Sequence, residues 1–158
     1  NDARLTFKTD SVMSTQTLSL GADNRRLGVA FDWLRVIPIQ AYRYEFDQPT
    51  ITGAGWSIPE RAPINLTSYQ WTTSTASTFD IPLIYDRDVQ LTFRVLNTLK
   101  PDILKSINVT VNGKSISLIA AEQPDSSVIF HGTIPKMAWS SEKKKYKVSP
   151  STKRSLRD

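Results

Sequence analysis

At 158 residues, with 39% apolar and 22% charged side chains, the chain fits one folded domain with one core, which excludes global disorder and fibrous repeats. It has no cysteine, which excludes disulfides, thiol catalysis and cysteine-held zinc or iron–sulfur centres. The net charge of +5 is local: residues 142–158 hold seven of the 20 Lys and Arg and two of the 15 acids, leaving thirteen of each in residues 1–141, so the basic character belongs to a tail and nucleic acid is not expected as a partner.

In chain order, strands are expected at Arg4–Thr9, Leu27–Ile37, Ala41–Phe46, Ser68–Thr73 and Thr78–Ile84, each rich in β-branched or aromatic residues between turn formers. Leu27–Ile37 is nearly apolar apart from Asp32 and Arg35, which reads as a central strand buried on both faces or an apolar segment crossing the core, with Trp33 in the core. The clearest strand follows: Val89, Leu91, Phe93 and Val95 alternate with Asp88, Gln90, Thr92 and Arg94. Pro101 and Asp102 favour one short helix within Leu99–Ser106. Ile107, Val109 and Val111 then alternate with polar neighbours, and Asn112-Gly113 predicts a two-residue hairpin turn leading to Ile116 and Leu118. Two more strands are expected at Ser127–Gly132 and Lys145–Val148.

Many short strands with almost no helix predict an all-β fold, an antiparallel β-sandwich of jelly-roll type with at most one short helix; a small closed barrel is the alternative. The expected division is a sandwich domain over residues 1–141 and a basic C-terminal strand or tail over 142–158. Asp47–Tyr69, with Pro49, Gly53, Gly55, Pro59 and Pro63, is expected as a long loop, the kind of segment that carries binding residues. No apolar run approaches the roughly 18–20 residues that cross a bilayer, so no membrane span is expected. The start Asn1-Asp2-Ala3-Arg4 has no signal-peptide features and no Met, so a piece of a longer chain is expected.

Few side chains suit catalysis. His131 is the only histidine; it excludes a multi-histidine metal site and leaves one candidate general base, with no Gly-x-Ser-x-Gly elbow beside it. Asp80, Asp86 and Asp88 are close in sequence, but turn chemistry accounts for the last two. Phosphate-binding glycine loops are absent, and neither a metal nor a cofactor is expected. Four tryptophans remain, and an indole presents a broad apolar face on which a sugar ring can stack. Trp56 lies in the Gly/Pro-rich loop, Trp71 in Ser68–Thr73, and Trp139 where the last apolar segment meets the basic tail. For each of the three, packing in the core or at an edge is the competing role.

The loop Gly55-Trp56-Ser57-Ile58-Pro59-Glu60, followed by Gln70-Trp71-Thr72, the strand Val89–Val95 and Val109-Thr110-Val111-Asn112-Gly113, resembles the carbohydrate-binding-like β-sandwich accessory domains of bacterial membrane glycosyltransferases and phosphoglycerol transferases. Leu20–Val29 resembles a segment that follows the hairpin region in those domains, and Tyr146–Asp158 echoes Phe7–Asp23. That order implies the end of one unit joined to most of the next, or a permuted unit. The resemblance implies a non-catalytic module facing the periplasm or the cell exterior, with a glycan or oligosaccharide and the parent transferase domain as partners. Glu60 and Arg61, near Trp56, are the polar groups expected beside the ligand. A structural domain making protein contacts is the alternative; an enzyme using His131 and a nucleic-acid binder using the tail rank below it.

Overall fold

Alternation of apolar and polar residues becomes two opposed antiparallel sheets. The computed structural model describes residues 3–37, 42–48, 52–82 and 85–139. Its elements are β1 (Ala3–Lys8), β2 (Val29–Ile37), β3 (Tyr42–Glu45), β4 (Gly53–Ala54), β5 (Glu60–Arg61), β6 (Ser68–Trp71), β7 (Ala76–Ile81), β8 (Val89–Thr98), α1 (Pro101–Lys105), β9 (Asn108–Val111), β10 (Lys114–Ile116), β11 (Leu118–Glu122), β12 (Val128–Ile134) and α2 (Lys136–Trp139). One sheet runs β10-β9-β1-β7-β4; the other runs β11-β12-β8-β2-β6-β5, with β3 also paired to β2. The fold is therefore the expected all-β sandwich. Besides the expected helix at α1 it has the single turn α2, whose first N–H, from Lys136, donates to Asp88 Oδ1 at 2.7 Å.

The inner faces interlock through aromatic rings. Phe31, Phe93 and Phe130 stack in sequence across β2, β8 and β12, with centroids 5.3 and 5.0 Å apart, and Phe7 from the opposite sheet sets its edge against Phe31 and Phe93. Such pairs add about 0.5–1.5 kcal/mol each beyond the area they bury. Around them lie Leu5, Phe79 and Val111 from one sheet and Leu34, Leu91 and Ile134 from the other, all buried. Asn112 (φ 48°) and Gly113 (φ 82°) make the predicted turn between β9 and β10. Asn112 also ties three segments together: its Oδ1 accepts from the Arg4 N–H and its Nδ2 donates to the Ala138 carbonyl, each at 2.9 Å.

Two expectations are revised. Trp33 is not in the core; it stands half-buried on the outer face of β2. The cause is a bulge. Phe31 pairs with Val95 and Trp33 with Arg94, so Asp32 is an extra residue in β2 and the face reverses after Phe31. Leu34 and Val36 then point inward while Trp33 and Arg35 point out. The long loop 47–69 is also partly ordered as strand, through the two-residue β4 and β5. The strand expected at 145–148 and the basic tail 142–158 lie outside the described residues.

Candidate functional site

The bulge gives the outer face of the larger sheet its character. Three of its side chains, Ala30, Tyr69 and Trp71, come from β2 and from alternate positions of β6, and with Leu27 and Leu99 they form a small apolar cluster separate from the main core. Tyr69 and Trp71 meet edge to face, with centroids 6.1 Å apart. They floor a cleft of about 450 Å³ that also includes Ala30 and Leu96. Its rim is polar: Asn65 from the turn after β5, Asn97 from the end of β8, and Asp125 and Ser126 from the turn between β11 and β12. Burial raises the pKa of the Tyr69 hydroxyl, with Glu60 acting in the same direction.

A second cleft of about 420 Å³ adjoins the first through Asp125 and is lined by Trp33, Arg94, Gln123, Pro124 and Ile129. Arg94 lines the second cleft and braces Asp125, which the two share. Its Nη1 donates to Asp32 Oδ2 at 2.9 Å, its Nε to Ser127 Oγ at 3.0 Å, and its Nη2 to Asp125. Burial holds the Asp32 carboxyl above the usual range despite the Arg94 cation. Asp125 is held below it, chiefly because its carboxylate accepts from the Ser127 hydroxyl and backbone N–H.

The five residues singled out from the sequence do not converge. Trp56 is half-buried between the sheets: its ring lies 5.0, 5.2 and 6.0 Å from Phe46, Phe31 and Phe7, and its Nε1 donates to the Thr78 carbonyl at 2.8 Å. Trp139 is buried, 2% exposed, edge to face with Tyr85. Both rings pack against the main core. Trp71 is 7% exposed and lines the first cleft. Glu60, opposite Tyr69 across β5 and β6, does not line that cleft; it is ion-paired with Arg25 at 2.5 Å, with its Oε2 3.4 Å from the Tyr69 hydroxyl. Arg61 is exposed at the sheet edge, opposite Ser68.

Tyr69, Asn97, Asp125, Arg94 and Trp33 were not singled out. The Tyr69-x-Trp71 spacing, which puts two aromatic rings on one face of a strand, was the available signal. His131 lines a third cleft, of about 540 Å³, with Gln90, Ile119 and Thr133, and its Nδ1 lies 3.3 Å from the Thr92 hydroxyl. Asp80 pairs with Arg4 at 2.6 Å, and Asp86 with Arg87 at 3.3 Å. Among the described residues no three His, Asp or Glu side chains gather closely enough to hold a metal ion, and no helix is long and apolar enough to cross a membrane. Comparison of the chain with family models, curated proteins and solved structures found no match.

Proposed function

We propose that the chain is a non-catalytic carbohydrate-binding module, and that its ligand lies across the outer face of the larger sheet with one sugar in the Tyr69–Trp71 cleft. The observation that carries this reading is the pairing of an aromatic floor with a rim of amide, carboxylate and hydroxyl groups. A pyranose has the same division, an apolar C–H face and a ring of hydroxyls. The cleft is open and its floor small, so affinity is modest, with Kd on the order of 0.1–1 mM. The resemblance noted in the sequence extends the proposal to an extracytoplasmic module that holds a glycan beside a parent transferase.

Calorimetric titration of the full chain with neutral and acidic oligosaccharides tests it. Binding to at least one class is expected, weakened about tenfold by Tyr69→Ala and by Asn97→Ala. Parent-level affinity in both variants would place the ligand elsewhere. A second reading rests on a different observation: Ile58, Ile64 and Leu66, around the β5–β6 connection, are 74%, 99% and 67% exposed, and apolar residues grouped on a surface mark protein contacts. Concentration-dependent sedimentation abolished by Ile64→Asp would favour an assembly domain.

A further inference from the structure

We propose that the outer face carries, beside the cleft, a subsite for the carboxylate or phosphate of an acidic oligosaccharide, made by Arg35 and Arg43 over the indole of Trp33. The inference rests on the glycan reading and names its substrate class. Arg35 on β2 and Arg43 on β3 are direct cross-strand partners, and like charges placed opposite one another repel. Both guanidinium groups lean on the same ring, with Cζ atoms 5.8 and 5.1 Å from the Trp33 centroid. Cation–π attraction to one indole holds the two cations together where solvent alone would separate them.

The nearby carboxylates balance the charge of these arginines but do not use all of their hydrogen-bond donors. Glu45 takes Arg43 through its Nε. Asp32 and Asp125 are both engaged by Arg94. Arg35 has no ion pair or side-chain hydrogen bond to a described residue, and its Nε is buried without an acceptor. One guanidinium with no bonded acceptor among the described residues therefore stands beside a second that is engaged only through its Nε, a geometry suited to the planar, multiply accepting oxygens of a carboxylate or phosphate. Trp33 also lines the cleft that meets the Tyr69–Trp71 cleft at Asp125, so a single oligosaccharide can occupy both.

The test uses the full chain and a matched pair of glucan hexasaccharides, one neutral and one oxidised to carboxylates at C6, titrated at about 0.02 M and about 0.5 M salt. The oxidised sugar is expected to bind about tenfold tighter at low salt, with most of the difference lost at high salt. Arg35→Gln and Arg43→Gln should each reduce that preference to near unity while leaving the neutral sugar's affinity unchanged; Tyr69→Ala should weaken both sugars. Equal binding of the two sugars by the parent chain, or a preference that survives both arginine substitutions, overturns the subsite and leaves the glycan cleft standing. Binding of neither sugar overturns the glycan reading and the subsite with it. Anionic phospholipid vesicles serve as the competing source of phosphate, and tighter binding to them than to the oxidised sugar overturns the assignment to a saccharide.

Discussion

Trp56→Ala is expected to damage folding before it damages binding. The indole contacts Phe7, Phe31 and Phe46 from both sheets and donates to the Thr78 carbonyl at 2.8 Å. Truncating a fully buried Trp costs about 3–5 kcal/mol; Trp56 is only half-buried, so about 3 kcal/mol is appropriate once its ring contacts are included. For a domain of this size that lowers the melting temperature by about 6–12 °C. Trp56→Phe separates the contributions: it keeps most of the ring packing, loses the N–H donor, and should cost about 1 kcal/mol. Scanning calorimetry measures both, and the remaining tryptophans report urea unfolding. A Trp56→Ala chain that melts within a degree or two of the parent but no longer binds sugar would refute this assignment, because the ring would then be a platform for ligand and not a plug between the sheets.

Three further outcomes are expected. Gly53→Ala should cost about 2–4 kcal/mol and release β4, since φ is +145° there and a Cβ would sit 2.0 Å from the Thr78 carbonyl oxygen; faster hydrogen exchange along β7 would report it. Asn112→Ala should lower stability by about 2 kcal/mol in urea, whereas Asn112→Gly, which keeps the turn geometry but loses the links to Arg4 and Ala138, should lose about half of that. Hydrogen bonding to Arg4 holds the Asp80 carboxyl below its ordinary range, so its contribution is present above the unfolded value, about 3.9, and is lost as pH falls through the lower folded value. Asp80→Asn should therefore flatten the acid limb of a plot of melting temperature against pH.

The sandwich was legible because period-two alternation survives wherever one face of a strand is dry, as in β8 and β9, and because Asn-Gly encodes its turn locally. Trp33 was misplaced because a bulge leaves no local mark: in β2 the apolar residues run nearly without interruption, and only the pairing with β8 shows that the face reverses at Asp32. The two-residue β4 and β5 are too short for any period to show. The cleft was illegible for a different reason. Its rim draws on residues near 65, 97 and 125, which become neighbours only through the strand order β12-β8-β2-β6. Trp56 and Trp71 could be named as aromatic groups, but the sequence does not say which indole the opposite sheet covers.

Arg94 is where fold and site depend on each other, and this dependence has a pH signature. It binds Asp32 at the bulge and Asp125 at the cleft rim, so Arg94→Gln should loosen the boundary of both clefts and leave a buried carboxylate without its cation. Breaking a buried pair by removing one partner costs about 3–5 kcal/mol; Arg94 is about a quarter exposed, and solvent screening reduces the expected loss at neutral pH to about 2 kcal/mol. The Asp32 carboxyl is raised by burial, with Glu45 pushing the same way and Arg94 and Arg43 opposing. Removing Arg94 raises it further. An acid with a raised folded pKa binds more protons folded than unfolded, so its effect on stability worsens as pH rises through the interval between the two values. Asp125, which Arg94 helps to hold low, changes in the same sense when the cation is lost. The gap in melting temperature between Arg94→Gln and the parent should therefore be small near pH 4 and larger near pH 7. A gap of equal size at both pH values would mean that Arg94 supports the bulge by packing its stem, and that its charge is spent on solvent instead of on Asp32.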